Sequence, residues 1–430
     1  MGRVVITGMG TVSPLGLTLD SLWKSLSECV SGVRACTQNE KFPINCAAPA
    51  DAFTGNIDDF GELDSNQKKI IRKGLKLTSR EIQMCIAATQ RALTDAGIIA
   101  GQFDPERVGT SIGSDYIFTT TADLEDAMKS CRGESGHFDF SIWGQRGLPK
   151  MTPLWQLKYL SNMSACHIAI YNDFRNVCNS ITLREASIGA TVGEAVHNIR
   201  SGKTDMMVVG TTGSRIHPMK MLHAILTEQV AQGTEPPETV SRPFDRERQG
   251  MVLGEGTGSL VLESEEHARK RGAKIYAEIV CGTYVSHLER GMIPNRREAL
   301  TQAMTLLCRR ADMTPEQIGH INAHGLSTFA CDIDEANAIR SVFGKRKIPV
   351  TAAKSYFGNL GAGSGAVELV AGVLALKNNQ LFPILNHVMG DPDCPITPVR
   401  EFGVPTGDSF IKLSVSPQAQ AAAILVRRFE

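Results

Sequence analysis

Residues 351–377 read TAAKSYFGNLGAGSGAVELVAGVLALK: a lysine at a strand end, a glycine-rich turn, then a helix with almost no polar face. Between 364 and 377 only Ser364, Glu368 and Lys377 are polar, so this helix is expected to be buried on every side. Pro349-Val350-Thr351 supplies the short strand before it. The same alternation extends toward the N-terminus. Residues 332–343 and 297–310 read as helices, Ile321-Asn322 as a strand end and 275–280 as a strand. Earlier still come a strand at Gly258–Glu263, the buried strand Met206-Met207-Val208-Val209 and a helix at 193–200. Val108–Ile112 is a further strand, 77–97 an amphipathic helix with Ile82, Cys85, Ile86, Leu93 and Ala96 on one face, and Val4–Thr7 the first strand. Strands alternating with helices predict an α/β architecture with helices on both sides of the sheets.

Two similar halves, 1–262 and 263–430, suggest an internal duplication, although residue-level similarity between them is weak. The segments at about 115–160 and 225–250 break the pattern. Insertions of that length build pocket rims or subunit interfaces.

The chain has 430 residues, 42% hydrophobic and 21% charged, with 45 basic against 45 acidic side chains. That balance provides no long-range field for collecting nucleic acid. The eleven cysteines are odd in number, scattered and without metal-ligand spacing, which predicts neither a disulfide framework nor a zinc site. The start, MGRVVITGMG, reads as a strand rather than a signal peptide, and no apolar run is long enough to span a membrane. A cytoplasmic protein is expected, with no metal.

Three glycine-bearing segments carry the chemistry: SRPFDRERQGMVLGEG at 241–256, NAHGLST at 322–328 and KSYFGNLGAGSGAVE at 354–368. None has the P-loop form, and the Gly8-Met9-Gly10 pair lacks the third glycine of a dinucleotide fingerprint, so no organic cofactor is expected. They put backbone close to a ligand, with His324 and Lys354 at strand ends.

Collinear segments extend this pattern: VVITGMGTVSPLG at 4–16, LKYLSNMSACHIAI at 157–170, SGKTDMMVVGTTGSRIHPM at 201–219, SRPFDRERQGMVLGEGTGSLVLE at 241–263, INAHGLST at 321–328 and TAAKSYFGNLGAGSGAVE at 351–368. With them the chain resembles the β-ketoacyl-ACP synthases, type II condensing enzymes of the thiolase fold, over essentially its whole length. It is closest in character to the chain-length-factor subunits that lack the catalytic cysteine. The resemblance implies five layers, αβαβα, from two duplicated βαβαβαββ halves, in a dimer whose sheets join across the two-fold axis.

In that family a cysteine at a buried helix start takes an acyl group from acyl carrier protein, and two histidines help decarboxylate a malonyl extender. The helix terminus favours the thiolate and later holds the oxyanion. Here the resemblance puts Glu185 at the cysteine position. Cys178, seven residues earlier, is about 23 Å away along an extended chain, and Cys166 falls in the loop before it. The first histidine corresponds to His324, the lysine to Lys354 and the supporting glutamate to Glu335. The second histidine is replaced by Asn359, which cannot carry an imidazolium charge. The family's glycine-rich gate corresponds to Ser416-Pro417-Gln418, where a proline stiffens the loop. Tyr116, Ile117 and Phe118 fall where the family's acyl tunnel meets the dimer axis, and are equally readable as core aromatics and aliphatics.

The implied function is a partner subunit that sets chain length in fatty-acid or polyketide (polyene) synthesis. It would pair with a homologous cysteine-bearing ketosynthase in a heterodimer, and with acyl carrier protein. Two alternatives stand beside it. One is an enzyme still, a malonyl-ACP decarboxylase or residual 3-oxoacyl-ACP synthase. The other is a non-catalytic homodimer that binds acyl groups or acyl carrier protein. Glu185 could also be a helix-start carboxylate with no further role. Lys68-Lys69, Arg72-Lys73 and Arg269-Lys270-Arg271 are the basic patches an acidic carrier protein would need, or solvated faces.

Overall fold

Met206-Met207-Val208-Val209 offers water no polar face, and both of its faces are covered. Met207 and Val209 enter one core, Met206 and Val208 another, as the period of two along a strand requires. The computed structural model describes residues 2–36, 43–99, 101–133, 135–232 and 236–430.

The strands that carry the architecture are β1 (Val4–Val12), β2 (Val108–Gly113), β3 (Cys178–Ile181), β4 (Met206–Ser214), β5 (Leu253–Ser264), β6 (Ala277–Ser286), β7 (His320–Asn322), β8 (Pro349–Thr351), β9 (Ser409–Val415) and β10 (Gln420–Arg427). Their hydrogen-bonded order is β3-β2-β4-β5-β1-β6-β10-β9-β7-β8. In the first half β1, β5 and β4 run antiparallel in succession, while β4, β2 and β3 are parallel. In the second, β6, β10 and β9 are antiparallel in succession, while β9, β7 and β8 are parallel. Order and direction thus repeat. A short antiparallel pairing of β1 with β6, from Val4 to Ile6, joins the two halves.

The main helices are α1 (Arg80–Asp95), α2 (Met163–Asn172), α3 (Ser187–Arg200), α4 (Arg296–Ala311), α5 (Phe329–Phe343) and α6 (Gly363–Asn378). α3 and α6 touch strands of both halves and form the middle layer. α1 and α2 cover the outer face of the first half, and α4, with α5 against it, covers that of the second. The result is the five-layered αβαβα thiolase arrangement. Every residue of α6 from Gly363 to Leu376 is buried, as its all-round apolar sequence demands.

Gly8 and Gly10 serve packing. A Cβ at Gly8 would meet the carbonyl oxygen of Ala92, and one at Gly10 that of Ala88, so β1 and α1 approach backbone to backbone.

Some sequence expectations shift. α1 is shorter than 77–97, and α3 begins at Ser187 rather than 193 because buried packing against both halves extends it. Cys166 lies within α2, not in a loop. The 115–160 segment is more regular than its sequence suggests, holding a helix at Thr121–Ser130 and short helical turns from Phe140 to Tyr159. Residue 134 and residues 233–235 of the two insertions lie outside the described residues. Among the described residues no helix is long and apolar enough to cross a membrane.

Gly10→Val would force β1 and α1 apart and should lower the urea unfolding free energy by at least about 1–3 kcal/mol. Gly144→Ala, where an added Cβ meets nothing within 4 Å, should stay within about 0.5 kcal/mol of the parent.

Candidate active site

The two buried helices begin side by side: Gly365, in the first turn of α6, packs against Ile188 of α3 and the carbonyl of Glu185. Both N-termini bring positive dipole ends to one place. After β3 the chain makes a short helical turn, Arg184–Ala186, that leads into α3. Arg184 sits at a left-handed φ of +52°, and its Nε lies 3.6 Å from Glu185 Oε2. Neighbours on a regular helix would not meet this way; Arg184 precedes the helix.

Glu185 is 2% exposed. Its Oε1 accepts from Arg215 Nη2 at 2.6 Å and from Asn359 Nδ2 at 3.1 Å. Glu228 completes the group, accepting from Arg184 Nη2 at 2.7 Å and Arg215 Nη1 at 2.8 Å. Two guanidinium groups thus face two carboxylates. Burial alone would push the Glu185 carboxyl up, but Arg184 and Arg215 outweigh it and hold the group well below the usual carboxylate range.

His324 lies two residues past the end of β7. Gly325 (φ +49°) and Ser327 (φ +66°) then turn the chain sharply. Two carboxylates of α5 hold that turn by its backbone. Glu335 accepts from the N–H of His324 at 2.6 Å and of Gly325 at 2.8 Å. Asp332 accepts from Leu326 at 2.9 Å, Ser327 at 3.1 Å and Phe244 at 2.8 Å. Burial pushes Glu335 up to about 7 and Asp332 up to about 6, against these N–H groups. The buried Arg248 ties the 241–250 loop to the same turn, donating to Thr328 O at 3.2 Å.

Lys354 follows β8 and is fully engaged. Its Nζ contacts His324 Nδ1 at 3.1 Å, His324 O at 2.9 Å and Glu368 Oε1. The second oxygen of Glu368 pairs with Lys412 Nζ at 2.5 Å. Burial, then the Lys354 and Lys412 ammonium groups, push the imidazole well below its ordinary value. His324 is therefore neutral at pH 7. Since Nδ1 accepts from Lys354, its proton sits on Nε2.

Glu185 and His324 open onto one cavity of about 260 Å³, lined also by Met251, Arg296, Cys331 and Pro417. Glu185 Oε2 and His324 Nε2 have no hydrogen-bond partner. Cys331 is the one cysteine among the described residues that line it, and burial followed by the Asp332 charge pushes its thiol far up. That sulfur stays protonated near neutral pH. The cavity is thus lined by an engaged carboxylate, an imidazole whose Nε2 has no hydrogen-bond partner, and a protonated thiol.

Residues 1–268 match the N-terminal domain of the β-ketoacyl synthases, and residues 276–388 their C-terminal domain. The chain belongs to the β-ketoacyl synthase family. It is 30% identical over 402 residues to a 3-oxoacyl-[acyl-carrier-protein] synthase 2 of Synechocystis, covering 92% of this chain and 90% of that one. A β-ketoacyl synthase structure from Burkholderia phymatum superposes with a TM-score of 0.85 at 26% identity, covering both chains fully. The ishigamide ketosynthase/chain length factor does so with a TM-score of 0.81 at 25% identity, again with full coverage of both.

In the structure Asn359 meets Glu185, Lys354 meets His324, and Glu185 and His324 line one cavity. Glu335 supports the backbone of the His324 turn, while the carboxylate on Lys354 is Glu368. Pro417 reaches the cavity; Ser416 is buried, and Gln418 is exposed in the β9–β10 turn. The tunnel residues do not join this cavity. Ile117 and Phe118 line a separate one of about 370 Å³ with His217 and Tyr159. The Tyr116 hydroxyl shares a hydrogen bond with His223 Nδ1 at 2.7 Å. Arg271 is not free for a carrier protein, because it holds the buried Glu263. Sequence reasoning missed Arg215, Glu228, Glu368 and Lys412. For Arg215 and Lys412 a signal existed: each is a charge in or beside a buried strand. For Glu368 it was a lone acid in an apolar helix.

Arg215→Met leaves Glu185 buried without its main partner and should destabilise the chain by about 3–5 kcal/mol in urea unfolding. Adding Glu185→Gln should recover part of that loss. The Glu185 carboxyl is depressed in the fold, so its contribution should be complete above its ordinary pKa of 4.5 and fade as pH falls toward the folded value.

Proposed function

We propose that this ketosynthase homologue is a degenerate partner subunit, a chain-length factor that does not itself hold the acyl cargo. It would assemble with a cysteine-bearing ketosynthase and act on chains carried by acyl carrier protein in fatty-acid or polyketide synthesis. The observation that carries the reading is the Glu185 carboxylate at the start of α3, fixed by Arg215 at 2.6 Å and Asn359 at 3.1 Å. A carboxylate so engaged is a poor acyl acceptor, and any acyl anhydride formed on it would hydrolyse. Likeness to the ishigamide ketosynthase/chain length factor supports the same reading.

Purified chain incubated with acyl-loaded carrier protein should show no covalent acyl adduct by intact mass. Co-expression with a cysteine-bearing homologue should give a heterodimer on size exclusion. An acylated lone chain, or a homodimer that ignores the homologue, would count against the proposal.

Decarboxylation of malonyl-ACP is a second reading, favoured by the free Nε2–H of His324, which could hydrogen-bond a developing enolate oxygen. Carbon dioxide release abolished by His324→Ala would support it. Glu185→Cys alone should not restore condensation, since Asn359 replaces an imidazole and Pro417 stands at the cavity. The same variant should nonetheless alkylate readily at neutral pH, because Arg184 and Arg215 would favour its thiolate. Robust elongation by that variant would overturn the roles given to Asn359 and Pro417.

A further inference from the structure

The middle of the molecule holds a second buried charge cluster that the proposed function does not use. Glu368, on α6 and 0% exposed, carries two ammonium groups: Lys354 on Oε1, and Lys412 on Oε2 at 2.5 Å. Lys412 comes from β9 and is 1% exposed. It points into the middle layer with Phe410, whereas Ile411 and Leu413 enter the outer core. Its ammonium also donates to Leu413 O and, at 3.1 Å, to Ser414 Oγ. One carboxylate between two lysines leaves a net positive charge in a site that excludes water. A buried lysine in a strand core is costly, and burial indeed lowers its proton affinity against the pull of Glu368. Stability alone would be better served by an apolar residue.

We infer that Lys412 is a positioning residue for His324: by holding the second oxygen of Glu368 it fixes the Lys354 ammonium on His324 Nδ1 and keeps the imidazole neutral, with its Nε2–H free in the cavity. The geometry runs in one line. Lys412 anchors Glu368, Glu368 and the His324 carbonyl orient Lys354, and Lys354 donates its remaining N–H to Nδ1 in a hydrogen bond. A protonated His324 would present an N–H at Nδ1 to an ammonium 3.1 Å away, which the cluster opposes. The charged groups around His324 include Glu185 before α3, Arg215 after β4, Lys354 after β8 and Lys412 on β9, with Glu335 and Asp332 of α5 beneath its turn, and Glu228 and, on α4, Arg296 lining the same cavity. Glu185 favours protonation; Lys354, Lys412 and Arg215 oppose it. This role for Lys412 goes beyond the proposed function and holds whether the cavity decarboxylates or only shapes a tunnel.

The test is long-range ¹H–¹⁵N correlation of histidine-labelled full-length chain, with His324 assigned by loss of its signals in His324→Gln. Wild type should show the neutral Nε2–H tautomer throughout about pH 5–8. Lys412→Met, similar in shape and uncharged, should raise the proton affinity of His324 at least about tenfold, bringing its titration toward that window. Lys412→Arg should keep the wild-type tautomer. Thermal unfolding of each variant separates loss of fold from loss of positioning. A folded Lys412→Met chain whose His324 behaves as in wild type would overturn the inference. So would a wild-type Nδ1–H tautomer, which decides the matter even if no variant folds.

Discussion

Two helices, α3 and α6, lie between strands of both halves, and their first turns meet deep in the interior. Charges buried at that junction are met by other groups of the protein. Much of the interior polar chemistry follows from this constraint. The Arg184–Glu185–Arg215–Glu228 quartet closes one helix start, and Asn359 bridges it to the turn before the other. The Lys354–Glu368–Lys412 cluster lies one turn farther along α6.

These two clusters leave His324 between opposed fields. Glu185 attracts a proton to it while the two lysines and Arg215 repel one, and burial favours the neutral ring. Around the cavity lie an unpartnered donor at His324 Nε2, an unpartnered acceptor at Glu185 Oε2, and a thiol at Cys331 held in its protonated form. An acyl group would find hydrogen bonds there, but the carboxylate at the helix start is already committed to Arg215.

Glycine and buried carboxylates share the work of bringing chain segments together. Gly8 and Gly10 let β1 lie against the backbone of α1, and Gly365 lets the start of α6 lie against α3. Asp332 and Glu335 then hold the His324 turn through five backbone N–H groups, one of them on Phe244 from the 241–250 loop. The backbone of the histidine is therefore placed by these contacts, and its ring by Lys354 on Nδ1.

The amino-acid order was enough for the layers. The largely apolar α6 and the doubly buried Met206–Val209 strand call for cover on every side, and the collinear segments carried a family resemblance that implied a shared site for His324, Lys354, Asn359 and Glu185. Such signals are local: period, turn residues and spacing are properties of short stretches. Which charges would neutralise each other was not local. Arg215 and Glu185 are 30 residues apart, and Lys412 and Glu368 lie on different elements. Nothing along the chain says that Glu368 rather than Glu335 takes Lys354, or that Ile117 and Phe118 line a cavity separate from that of Glu185. Those pairings come from how the two halves stack, since an ion pair depends on distance in space and burial sets its strength.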